Sequence, residues 1–260
     1  MKNKKIVCLF VLLLSYVHLT FGQQKPQPIA HALGSIDGYV YTNSREAMNN
    51  SLEKGYKYLE VDLDSTSDGI IVASHDWTHF NEITNYSELK DTMISFEEFS
   101  TRKIYDMYTP ITIQEIIDTL MNNPDVSIVT DKISDPDIIE KYFSGIKERV
   151  YVECFSEDDY FELKEKGYNV MFSTDNANDV LIYITKNLLK GYGRIDFITT
   201  SIDQDSKELG KLKCIMPLKV SMYTINTEET LNEYMDEIDF FYSDFYDPST
   251  DSFTFNTEKE

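Results

Sequence analysis

Hydrophobic positions along the chain fall into two alternating patterns. Short runs rich in Val, Ile, Tyr and Phe read as strands, and stretches with apolar residues three and four apart read as amphipathic helices. On that reading Pro28 to Leu33 is a first strand. Asn43 to Lys54 is a helix, with Asn43 or Ser44 as its cap and Glu46 in its first turn. Gly55 stops it, and Tyr58 to Leu63 forms the second strand. Ser67-Asp68-Gly69 marks a turn into a short extra strand, Ile70 to Ala73. Residues 76–110 are polar and irregular in pattern and are expected to form a long loop. A helix over Thr112 to Met121 leads to a third strand, Val126 to Thr130.

The second half continues the alternation. Strands are expected at Val150–Glu153, Tyr168–Phe172, Ile195–Thr199, Lys219–Tyr223 and Asp239–Tyr242. Helices are expected at Glu157–Lys166, Asn178–Leu189, Asp203–Gly210 and Glu228–Met235. Strands that alternate with helices imply a parallel sheet. Their count, and a length of 260 residues, favour an α/β fold of the closed (β/α)8 TIM-barrel type over an open doubly wound sheet. The polar stretch then becomes an aromatic-rich insertion after the second strand region. Such a barrel places its chemistry at the C-terminal ends of its strands.

The first 22 residues stand apart from this pattern. Lys2, Lys4 and Lys5 precede an apolar run from Ile6 to Val17 that is short for a membrane span and fits the core of a signal peptide. Cleavage is expected after Gly22, with residues 23–260 as the mature domain, exported to the periplasm, cell surface or medium; a retained N-terminal anchor is the alternative. Cys8 lies inside the apolar run, which is no place for a lipid-attachment cysteine. Cys154 and Cys214 remain, as one bridge or two thiols. The formal charge is −21, and losing the three leader lysines makes it −24. A body this acidic excludes nonspecific binding to nucleic acid or anionic membranes. If the substrate is an anion, a bound divalent cation is the economical way to reverse the local field.

Three histidines lie outside the leader: His31, His75 and His79. His31 sits near the end of the first strand and His75 follows the short extra strand. Each alone reads as an ordinary loop residue; two at equivalent strand ends point to acid and base chemistry near neutral pH. Glu60 and Asp62 stand two apart on an otherwise apolar strand and so share a face. Paired carboxylates are costly without a cation, and oxygen ligands suit Mg²⁺ or Ca²⁺. A solvated strand face is the plainer reading. Asp131 and Lys132 close the third strand, as a ligand beside a phosphate-facing cation or as a surface ion pair.

The order of these elements is more specific than any one of them. His31-Ala32-Leu33-Gly34 is followed by Asn43-Ser44, by Gly55 and Glu60-Val61-Asp62, and by Ser67-Asp68-Gly69, Val72 and His75-Asp76. This resembles the opening of the glycerophosphodiester phosphodiesterase family, within the wider superfamily that includes phosphatidylinositol-type phospholipases. Tyr223-Thr224-Ile225-Asn226 and Tyr242-Ser243-Asp244 are similar to its later strand ends. The resemblance implies metal-dependent hydrolysis of a phosphodiester, with glycerophosphodiesters and phospholipid head groups as the default substrates. It implies His31 and His75 as catalytic acid and base, and Glu60, Asp62 and Asp131 as ligands of one divalent cation. It implies Lys132 as the phosphate-facing lysine and Asn43 as a retained substrate contact. The chain departs from the family at Ala32, where arginine is usual, and at Tyr41-Thr42, where Pro-Glu is usual. The family's acid-x-Lys, aligned on Lys132, puts Thr130 at the acid's place and would turn Asp131 away from the interior of a regular strand.

Within the insertion Trp77, next to His75-Asp76, is the expected substrate contact, with Tyr223 as the second. Two other readings compete. A barrel that keeps a phosphate or sugar pocket without turnover fits the loss of arginine at position 32. A glycoside hydrolase fits the abundance of acids but leaves paired histidines without a role.

Overall fold

The computed structural model describes residues 25–174, 195–202, 213 and 217–254. The leader, the helices expected at 178–189 and 203–210, and Cys214 lie outside the described residues. Cys154 is a buried thiol.

Eight parallel strands close on one another: β1 (Gln27–Ala30), β2 (Tyr58–Ser65), β4 (Ser127–Asp131), β5 (Val150–Cys154), β6 (Asn169–Ser173), β7 (Phe197–Ser201), β8 (Lys219–Tyr223) and β9 (Phe240–Ser243). β1 pairs with both β9 and β2, which shuts the barrel. The short strand β3 (Ile71–Ala73) runs antiparallel against the end of β2 and stands outside the ring. Among the described residues no helix is long and apolar enough to cross a membrane.

The helices begin where short polar side chains can accept an orphan amide. Ser44 caps Arg45–Glu53 through Ala47 N, and Ser156 caps Glu157–Glu165 through Asp159 N. Thr112 and Glu115 form a reciprocal capping box at the start of Ile113–Asn122. Asp135 caps Pro136–Phe143, a helix the sequence pattern had not brought out.

Alternation along the strands divides the apolar residues between two cores. Leu59, Val61, Ile128, Val150, Val152, Val170, Ile198, Val220 and Phe241 face outward and pack under the helices. Ile29, Val129, Met171, Phe197, Phe240 and Tyr242 fill the barrel, with Tyr58, Tyr151 and Tyr223 against them.

Residues 76–110 are not the irregular loop that their composition suggests. They contain helices Trp77–Ile83 and Phe96–Thr101 and a small core of their own, in which Trp77, Phe80, Ile83, Ile94, Phe99, Ile104 and Tyr108 are buried. Phe80 and Phe99 stack at 4.7 Å. The helices are only one or two turns long, too short for a period of 3.6 to emerge from a polar background.

Candidate active site

One cavity of about 200 Å³ opens at the C-terminal end of the strands. His31, Tyr41, Glu60, Asp62, His75, Asp131, Lys132, Glu153 and Tyr223 line it, among others. Seven of the residues singled out from the sequence therefore meet here, though they come from five separate stretches of chain.

The acidic cluster follows from strand register. Glu60 and Asp62 share the inner face of β2, and the parallel ladder sets Val129 beside Glu60 and Asp131 beside Asp62. Val129 is part of the barrel interior, so Asp131 points inward too. It needs no bulge; the acid has simply moved one position closer to the lysine. Glu60, Asp62 and Asp131 each offer an oxygen within 4.8 Å of the others. Lys132 reaches the same cavity by a different route. Its φ of +70° breaks the alternation after the strand, and Nζ lies 3.8 Å from Asp131 Oδ2.

Local backbone geometry holds these acids in place. The chain turns through left-handed conformations at Ala32 and Leu33, and Ala32 N donates to Glu60 Oε2 at 2.6 Å. Gly34 must be glycine: φ is +93°, and a Cβ there would lie 2.1 Å from Ser51 Oγ. Asn43 grips Asp62 twice, accepting from its backbone N–H and donating from Nδ2 to Oδ2 at 2.8 Å. Asn43 is buried and does not line the cavity, which corrects its reading as a substrate contact. One amide hydrogen and the amide oxygen are engaged by the aspartate.

Without a cation this arrangement is electrostatically tense. Burial, then the charges of Asp62 and Asp131, hold the Glu60 carboxyl well above its ordinary value. Burial, then Asp62, raises Asp131 as well. Three converging carboxylates with all-oxygen donors fit a hard divalent ion, which removes the repulsion.

Each histidine is held from behind by an aspartate. His31 Nδ1 lies 2.9 Å from Asp244 Oδ1, and Asn226 donates to Asp244 Oδ2 at 2.7 Å. His75 Nδ1 lies 2.7 Å from Asp76 Oδ2, while the other oxygen of Asp76 caps the following helix through His79 N. Nε2 is thus the nitrogen that each imidazole can offer to a substrate. Burial disfavours the His31 cation, but the hydrogen bond and charge of Asp244, with Asp62 and Asp131 behind it, outweigh that and raise its pKa.

Trp77 does not reach the cavity. It is buried in the core of the insertion, 5.7 Å from the ring of Phe80, because it opens the helix that Asp76 caps and faces away from His75. Tyr223 does line the cavity wall.

Three contributors were not picked out from the sequence. Asp244 appeared there only as part of a strand end. Glu153 sits on the inner face of β5, 4% exposed, and accepts a hydrogen bond from the Tyr242 hydroxyl across the barrel. Burial, then Asp131, raises its pKa well above the usual range. An acid at the end of an apolar strand was the signal for it. Tyr41 meets both histidines edge-on, and the sequence marked it only as a departure from the family's Pro-Glu.

Solved structures share this architecture. A glycerophosphodiester phosphodiesterase from Thermotoga maritima superposes with a TM-score of 0.67 at 17% identity, over 88% of this chain and 98% of that one. One from Parabacteroides distasonis gives 0.66 at 14% identity, over 86% and 94%. An Oleispira antarctica phosphodiesterase, solved with the product sn-glycerol-3-phosphate, gives 0.62 at 18% identity, over 87% and 95%. At these identities the likeness speaks for the fold. No curated protein matches the sequence. A sequence profile of the glycerophosphoryl diester phosphodiesterase family matches residues 34–209, more than half of the chain, and the protein belongs to that family of phosphoric diester hydrolases.

Proposed function

We propose that the protein hydrolyses glycerophosphodiesters, or phosphodiesters of phospholipid head groups, with one divalent cation at Glu60, Asp62 and Asp131. The observation that carries this reading is the meeting of two aspartate-backed histidines and a carboxylate triad in one cavity. The oxygen donors favour Mg²⁺ or Ca²⁺. When bound, the ion supplies a Lewis-acid contact to a non-bridging phosphate oxygen and offsets charge that builds in the transition state.

The chain's own residues do the rest. Lys132 presents a second positive group at the cavity mouth. Asp244 favours the protonated form of His31, which suits that residue to protonate the leaving alcohol. His75, oriented by Asp76, takes the proton from the attacking hydroxyl, whether of water or of the substrate itself. Tyr223 forms part of the wall beside the departing group. Asn43 keeps Asp62 pointed at the cation. Export through the leader, with a mature start near Gln23, belongs to the same reading, and N-terminal sequencing of secreted material checks it.

Turnover of bis-(p-nitrophenyl) phosphate and of glycerophosphodiesters by the mature chain, with Mg²⁺ or Ca²⁺, tests the proposal. Activity should vanish with chelator and fall by about 10²-fold or more in His31→Ala and in His75→Ala. Activity indifferent to chelator and to both substitutions would overturn it. Failure of every phosphodiester would favour a barrel that binds without turnover.

A further inference from the structure

The segment between Ser35 and Ser44 has almost no regular structure, and three of its non-glycine residues hold left-handed backbone: Asp37 at φ +53°, Tyr41 at +55° and Asn43 at +45°. Asp and Asn adopt this conformation readily, but a tyrosine holds it only where the surroundings over-determine it. Here the surroundings do so from three sides. Ser35 Oγ donates to Asp244 O at 2.6 Å, which ties the segment to the last strand. Asn43 ties it to Asp62. The insertion braces it from outside: Tyr39 stacks on Tyr105 at 4.2 Å, and the Tyr108 hydroxyl donates to Asp37 at 2.9 Å.

What this bracket holds is the ring of Tyr41. It stands edge-on to His31 with centroids 4.5 Å apart at 75°, and edge-on to His75 at 5.3 Å and 88°. It also meets His79 at 6.3 Å. Apart from Tyr41, His31 is held by Asp244 at Nδ1 and met by the Tyr242 ring at 6.1 Å, and His75 is held by Asp76 at Nδ1 and met by the His79 ring at 6.0 Å; Tyr41 is the ring that meets both. Two groups that must work on opposite sides of one phosphorus tolerate little motion.

We propose that Tyr41 is a positioning residue: its ring is a wedge that fixes the separation and tilt of His31 and His75, and the insertion holds the wedge in place. The inference rests on the phosphodiesterase reading of the two histidines. It gives the insertion a task that its buried Trp77 cannot perform directly.

The test compares Tyr41→Phe and Tyr41→Ala in the mature chain. Kinetics are measured on bis-(p-nitrophenyl) phosphate and glycerophosphodiesters with Mg²⁺, alongside the crystallographic positions of the His31 and His75 rings in each variant. The ring alone should suffice, so Tyr41→Phe should keep at least about a third of kcat. Tyr41→Ala should lose about tenfold or more in kcat with KM changed by less than about threefold, the pattern of lost orientation rather than lost binding. Both imidazole rings should be displaced or split between orientations in the alanine variant and stay in place in the phenylalanine variant. Equal losses in the two variants would assign the effect to the hydroxyl and overturn the wedge. So would an alanine variant that changes KM alone, or one that leaves both rings in place. A wild-type protein without turnover of any phosphodiester would sink the phosphodiesterase reading, and the ring positions would then decide on the wedge by themselves.

Discussion

Asp244 shows how much of the cavity's geometry depends on a residue outside its lining. It lies 213 positions from His31 in the chain, yet its carboxylate accepts from Asn226 on one oxygen and holds Nδ1 of His31 on the other. Asp244→Asn keeps the shape and removes the charge. The amide can pair with the wrong tautomer of the imidazole, so kcat should fall on the order of 10²–10⁴-fold while Tm changes little. Steady-state kinetics beside a melting curve checks this; a variant with kcat near wild type would remove Asp244 from the mechanism. At this scale the sequence disclosed the residues whose type and spacing are unusual in themselves. His31, His75, Glu60 and Asp62 are of that kind. Asp131 was harder, because which face it takes depends on pairing with β2, and an alignment to its lysine gave the opposite face. Tyr41 was illegible, since an aromatic side chain in a loop acquires meaning only from a left-handed backbone and from rings brought to it by folding.

At the level of elements, the insertion is where composition misled. Its polar residues lie on the surface of two short helices, and its aromatic residues build a separate core beside the barrel. Phe80 is 2% exposed and stacks on Phe99. Phe80→Ala should therefore cost about 3–5 kcal/mol, the usual range for deleting a buried aromatic ring. The loss should appear locally, as faster amide exchange over residues 77–108, because this core is distinct from the one beneath the barrel helices. Unchanged exchange there would show that the insertion does not depend on its own core. If the insertion also braces the loop of Tyr41, the same variant should lose kcat without losing the barrel. The barrel elements were far more legible. Arg45–Glu53, Ile113–Asn122 and Glu157–Glu165 are each capped by Ser or Thr and separated from the following strand by Gly55, Pro124 and Gly167, so local propensity and global topology agree. Strand ends shifted by up to three residues, most at the first strand, which was expected to reach Leu33 but stops at Ala30 where His31–Leu33 forms a 3-10 turn; hydrogen-bonded pairing rather than hydrophobicity decides where a strand stops.

For the whole molecule the governing fact is negative charge, −21 formally, and Glu60, Asp62, Asp131 and Glu153 gather in the cavity at the barrel mouth. Glu60 and Glu153 ionise at ordinary values near 4.5 in an unfolded chain, and Asp131 near 3.8; all three are raised in the folded protein, by burial first and neighbouring carboxylates second. A folded pKa above the unfolded one means that the native state holds its protons longer. The stability these groups contribute is present below their ordinary values and is lost as pH rises through the folded ones. Chelator-treated protein should accordingly be less stable at pH 7 than at pH 5, the reverse of the usual acid sensitivity of paired carboxylates. Repulsion across so acidic a surface pushes in the same direction. A divalent cation that binds only the native state should cancel the local part, adding about 2.7 kcal/mol when present at a hundred times its Kd. Melting curves at both pH values, with and without Mg²⁺ or Ca²⁺, separate the two contributions. A Tm gain on adding cation at pH 7 that disappears in Asp62→Asn and shrinks at pH 5 would tie the effect to the triad. A gain of the same size in that variant would mean that cations act on the surface at large, and the interior cluster would have to hold itself together by keeping its protons.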